Sequence, residues 1–157
     1  MKIPTLLKHK PVIVSEDYDK IDGRIVSSDA KGLSIGLAQW NDRGKVDISA
    51  KIWRYTGDKW SRQSEEMPIH RVLDLAIFVC RTKLFFREAY KHKSFKEEKE
   101  QIDRIALQGG AMNVGLCKEN EFLDEDIETI NSVLLKDDEI ISERLARLSE
   151  ILKELGY

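Results

Sequence analysis

The chain has 157 residues, 26 of them basic and 28 acidic, for a net charge of −2. That length suits one domain with a sizeable core, and the balanced charge excludes a global attraction to nucleic acid or anionic lipid, so any such binding needs a local patch. At 41% hydrophobic and 34% charged, with no apolar run near the roughly 18 residues of a membrane span, the composition predicts a soluble, cytoplasmic protein without a membrane partner.

The N-terminus, MKIPTLLKHKPVIV, has no long apolar segment before a small-residue cleavage site, so no signal peptide is expected. Pro11 opens Val12-Ile13-Val14, a predicted strand. Asp17, Asp19, Asp22 and Gly23 only approximate a calcium loop. Ile21 stands at the fifth position, Gly23 comes one place late, and Ser28 replaces the final Glu. A turn stabilised by Asp side chains is the expectation. Arg24-Ile25-Val26 reads as another short strand.

Residues 31–62 organise the chain and hold all three tryptophans, Trp40, Trp53 and Trp60. Alternation puts Leu33, Ile35 and Leu37 on one face of a first strand, and Val46, Ile48, Ala50 and Ile52 on one face of a second. The turn Asn41-Asp42-Arg43-Gly44 sets Leu37 opposite Ile48, Ile35 opposite Ala50 and Leu33 opposite Ile52. These seven residues are the predicted core face. A second turn at Gly57-Asp58 sets Tyr55 opposite Trp60 and Trp53 opposite Arg62.

The period then lengthens. Ser64-Glu65-Glu66-Met67-Pro68 carries helix-start signals. Ile69, Val72, Leu73, Ala76, Ile77, Cys80 and Leu84 recur at helical steps, with Leu75, Phe78 and Val79 widening the stripe. A central helix from about Pro68 to Tyr90, lying across the apolar sheet face, is expected. Residues 91–104 are strongly charged, and Gln108–Asn120 reads as a loop broken at Gly109-Gly110. Asp124 can cap a helix with Ile127, Ile130, Val133 and Leu134. Asp137 or Asp138 can cap another with Ile141, Leu145, Leu148, Leu152 and Leu155, which Gly156 ends. The two make a helical hairpin.

The chemistry-bearing residues are few. His9, His70 and His92 show no metal-ligand spacing. Glu66, His70 and Asp74 fall four apart, where a carboxylate could assist a histidine base, but any helix brings such residues together. Cys80 and Cys117 have no activating neighbour in sequence and are expected to be reduced thiols. No catalytic residue, metal or cofactor is predicted. The remaining candidate is a surface. Trp40, Lys51, Trp53, Tyr55, Trp60 and Arg62, with Arg43 and Lys45 at one turn, interleave rings and cations as single-stranded nucleic acid requires. The same face could instead be a second core beneath the C-terminal helices.

The run from Leu33 to Ile77, LSIGLAQWNDRGKVDISAKIWRYTGDKWSRQSEEMPIHRVLDLAI, resembles a small bacterial family of unknown function, which implies no activity. The pattern Trp40-Asn41-x-x-Gly44-x-x-Asp47-Ile48, followed by a helix, is also similar to single-stranded DNA-binding domains of the positive-cofactor-four type. That resemblance implies a curved antiparallel sheet that binds DNA. Ser49 stands where those domains have arginine, and this chain has no basic tail.

The expectation is an α+β fold in a single domain, 1–157: a mainly β part over 1–64, a central helix over 65–95 and a helical hairpin over 121–156. The leading functional expectation is a non-enzymatic module binding single-stranded nucleic acid through the Trp face. The alternative is a protein-interaction or homo-oligomerising protein using the C-terminal helices. A small enzyme built on Glu66, His70 and Asp74 comes third.

Overall fold

Alternating and β-branched runs form strands in the first half of the chain, and runs of helical period form helices after it. The computed structural model describes residues 2–22, 28–42, 44, 46–61, 63, 65–88 and 101–157. Strands β1 (Lys10–Glu16), β2 (Ala30–Leu37), β3 (Ile48–Arg54) and β4 (Glu66–Pro68) form one antiparallel sheet in the order β1-β2-β3-β4. Helix α1 (Ile69–Glu88) follows, then strands β5 (Gln101–Leu107) and β6 (Gly110–Gly115), and helices α2 (Leu123–Lys136) and α3 (Asp138–Glu154). The α+β class holds, with its antiparallel sheet, central helix and two C-terminal helices. The chain divides into two compact units, Met1–Ala76 and Ile77–Tyr157.

In the first unit the β2–β3 register is the predicted one, with Leu37 opposite Ile48, Ile35 opposite Ala50 and Leu33 opposite Ile52. Tyr55 and Trp60 form an isolated bridge across the Gly57 turn, where Gly57 takes φ 97°. Arg62 and the predicted strand Arg24–Val26 lie outside the described residues. The Asp-rich segment is a turn, as expected: Asp17 pairs with Lys20 at 3.0 Å and Asp19 with Lys31 at 2.8 Å.

The two faces of the sheet are used the other way round from the prediction. Leu33, Ile35, Leu37, Val46, Ile48, Ala50 and Ile52, expected as core, form the more open face; Leu37 is 43% exposed and Ile48 53%. The enclosed face carries Ser34, Ala38, Ser49, Lys51 and Trp53, all buried. Its glycines explain how. A Cβ at Gly32 would lie 2.7 Å from Ile3 Cδ1, and one at Gly36 only 2.0 Å from the Lys10 carbonyl oxygen. The missing side chains let the N-terminal segment lie directly on the sheet backbone, so this face is closed by close approach rather than by its own hydrophobicity.

Glu66-Met67-Pro68, read as a helix start, instead forms β4, with Lys51 opposite Glu66 and Ala50 opposite Met67. Helix α1 begins just after Pro68. Proline disfavours helical geometry in the residue before it, which moves the boundary downstream.

In the second unit, the stretch read as charged surface and loop contains the β5–β6 hairpin. Gln108 (φ 51°) and Gly109 (φ 74°) are both left-handed, the signature of a two-residue type I′ turn. Residues 89–100 lie outside the described residues. The core of this unit is Leu116, Leu123 and Ile127, with Phe85, Phe86 and Ile102 packed against them. Phe122 rather than Asp124 occupies the N-cap of α2; Asp124 falls in the first turn, where its charge still suits the helix dipole. Asp137 takes the N-cap position of α3. That helix ends as predicted at Gly156, φ 90°. The Gly156 N–H donates to the Lys153 carbonyl and the Tyr157 N–H to the Leu152 carbonyl, which together make a Schellman motif.

Candidate functional site

On the enclosed face, strand pairing aligns Val14, Ser34, Lys51 and Glu66 in one row across all four strands. Residues 2–9 fold over this row, and His9, fully buried, reaches its centre. His9 Nδ1 lies 3.1 Å from Glu66 Oε1 and 3.2 Å from Ser49 Oγ, while Nε2 lies 2.9 Å from Ser34 Oγ.

The Glu66 carboxylate can only accept, so His9 donates its Nδ1–H to it. Trp53 Nε1–H donates to Ser34 Oγ at 2.8 Å. The Ser49 hydroxyl donates to Glu66 Oε1 at 2.7 Å, the Gln39 backbone N–H donates to the same oxygen at 2.8 Å, and Lys51 Nζ donates to Oε2 at 3.3 Å.

The Glu66 side chain is 1% exposed. Burial pushes its carboxyl up, but the bonds from Gln39, Ser49, His9 and Lys51 outweigh burial and hold it below the ordinary value. The result is an ionised Glu66 paired with Lys51 inside the unit. Lys51 Nζ also sits 4.6 Å from the centre of the Trp53 ring. Rings continue outward edge-to-face, from His9 to Trp53 (5.8 Å), Trp53 to Trp60 (6.1 Å) and Trp60 to Tyr55 (5.5 Å). Such ring pairs stabilise by about 0.5–1.5 kcal/mol each.

Ser34, His9 and Glu66 stand in the hydroxyl–imidazole–carboxylate order of a nucleophilic triad. A nucleophile, however, must meet its substrate. Ser34 is buried, and its oxygen already takes the Trp53 N–H. The arrangement is a satisfied polar core, in which each buried group has a partner.

The predicted surface residues divide between this core and its rim. Lys51 and Trp53 are enclosed, Trp53 being 1% exposed. Tyr55 and Trp60 are half-buried, and Trp40 is exposed. Arg62, Arg43 and Lys45 lie outside the described residues. The Trp40-Asn41…Asp47 pattern closes on itself. Trp40 Nε1–H donates to Asp47 Oδ2 (2.8 Å), Asn41 Nδ2 to the Asp47 carbonyl (3.0 Å), and the Asp47 N–H to Asn41 Oδ1 (2.8 Å). Here it is a clasp on the β2–β3 turn. Glu66, His70 and Asp74 do not share a helix face, because Glu66 belongs to β4 and points to His9. Beside them runs an open groove of about 610 Å³, lined in part by Trp40, Asp47, Ile48, His70 and Arg71. Cys80 and Cys117 are free thiols.

Sequence reasoning missed His9, Ser34 and Ser49 as members of one cluster. The only sequence signal was the run of small residues, Gly32, Ser34, Gly36 and Ala38, alternating along β2.

These features define an α+β scaffold whose sheet seals a polar network on one face and leaves apolar side chains on the other. Among the described residues, no helix is long and apolar enough to cross a membrane. The chain belongs to DUF6530, a family of unknown function whose model matches residues 1–157. No curated protein and no solved structure matches it.

Proposed function

We propose that the protein is a non-enzymatic binding module that pairs with a second copy of itself through the open face of its sheet. The observation that carries this reading is the apolar face itself. The rows Ile13–Ile35–Ala50–Met67, Leu33–Ile52 and Leu37–Ile48 lie side by side on it. Ile13, Ile35, Leu37 and Ile48 are exposed, and a charge enters these rows only at the β1 end, where Lys10 stands opposite Leu37. A contiguous apolar face marks an interaction site. One whose charge is confined to its margin can meet its own copy about a two-fold axis, and sheets pack face to face at about 10 Å. Leu148, Ile151 and Leu152 on α3 offer a second apolar stripe.

Light scattering over a concentration series tests this. The native chain should be dimeric, and Ile48→Glu should be monomeric with an unchanged circular dichroism spectrum. A native chain that stays monomeric sinks the proposal.

The ring series gives a second reading some support. Trp53, Trp60 and Tyr55 with Lys51 gather the rings and the cation that single-stranded nucleic acid would use for stacking and phosphate contact. They can act only if the cover over Trp53 is removed.

A further inference from the structure

We infer that residues 2–9 are a releasable strap over the buried Trp53 ring, latched at His9, and that its release is what admits a ligand. The inference rests on the second reading above, in which the ligand is single-stranded nucleic acid.

The strap is held at its two ends. Ile3 is buried against Gly32, and His9 is buried among Ser34, Ser49 and Glu66. Thr5 to Lys8 between them are exposed, with Leu6 at 93%. Among the described residues, no backbone-to-backbone hydrogen bond ties residues 2–9 to the sheet. The Ile3 N–H instead donates to the Glu16 side chain at 3.2 Å. The ladders β1–β2, β2–β3 and β3–β4 are complete without the strap. Lifting it therefore breaks side-chain contacts and leaves every rung of the sheet in place.

What it uncovers has a definite chemistry. The Trp53 ring would join the half-buried Trp60 and Tyr55 as one line of stacking surfaces. Among the described residues, Lys51 is the cation held against the Trp53 ring, with Glu66 beside it. Stacking rather than charge would dominate binding. A single phosphate contact on a single strand predicts a shallow slope of log affinity against log salt, about −0.7.

Acrylamide quenching of tryptophan fluorescence tests the strap, and titration with a short oligothymidylate tests the ligand, both on the full chain. Trp53→Phe identifies the Trp53 contribution. In the native chain that contribution should be shielded and the oligomer should not bind. In Ile3→Ser and His9→Ala it should become quenchable, and the oligomer should then bind with the shallow salt slope. If Trp53 stays shielded in variants that keep the native circular dichroism spectrum, residues 2–9 are not its gate. If both variants lose the folded sheet, the strap is part of the core and is not releasable. If Trp53 becomes accessible and no oligomer binds, the nucleic-acid reading falls while the strap stands.

Discussion

Glu66→Ala is the most direct test of the polar core. The substitution removes a carboxylate that accepts from Ser49, His9, Lys51 and the Gln39 backbone. The Gln39 amide is exposed and can turn to water. Ser49, His9 and Lys51 are buried and cannot. Breaking a buried ion pair from one side costs about 3–5 kcal/mol, because the remaining charge is left without a partner. Folded domains hold roughly 5–15 kcal/mol in total, so the variant should fold with much of its stability gone. Adding Lys51→Met removes the orphaned ammonium, and the double variant should be more stable than the sum of the two single losses by about 0.5–3 kcal/mol. All three tryptophans lie in the first unit, so urea unfolding followed by their fluorescence reports on that unit alone. A loss under about 1 kcal/mol for Glu66→Ala, or strict additivity in the double variant, would refute the network as described.

Two further predictions follow from the same face. Gly36→Ala should weaken the first unit by at least about 1–3 kcal/mol, since the new methyl would meet the Lys10 carbonyl oxygen of the β1 backbone rather than a flexible side chain; a thermal shift near zero would contradict the close approach. Stability should also fall in acid. The Glu66 carboxyl is held below its ordinary value of 4.5 in the folded chain, so the unfolded chain takes up the proton first as pH drops. Its contribution is whole above that value and drains away as pH falls through the lower folded one. Glu65, whose carboxyl the Arg54 guanidinium holds down, acts with the same sign. Denaturation curves across this acidic range should show a shallower pH dependence for Glu66→Gln than for the native chain, and equal slopes would remove Glu66 from the account.

The parts of the fold fixed by local pattern were legible in the residues. Alternation set the β2–β3 register, Gly57 marked the Tyr55–Trp60 turn, and Gly156 marked the end of α3, because each depends on a few neighbouring side chains. The use of the sheet's faces was not legible. Leu33, Ile35 and Ile48 carried the hydrophobic signal, but enclosure depended on Ile3 and His9, distant in sequence and without periodicity, reaching Gly32 and Ser34. The β5–β6 hairpin was hidden similarly, since its turn places Gln108, a residue with no turn preference, at positive φ. The candidate site was half visible. Trp53 and Lys51 were singled out for their chemistry, yet the partners that decide what they do, His9 and Glu66, come from opposite ends of the first unit.

The clasp of Trp40 and Asn41 on Asp47 bears on the order in which the unit is assembled. It joins residues six and seven apart, so it closes a short loop at small entropic cost and can pin the β2–β3 hairpin from the outset. The pocket for His9 draws on β2, β3 and β4, and its bond to Glu66 spans 57 positions. That pocket does not exist until the three strands are paired. Residues that precede the whole sheet in the chain are thus among the last that can find their place, and the sheet they cover must be made without them.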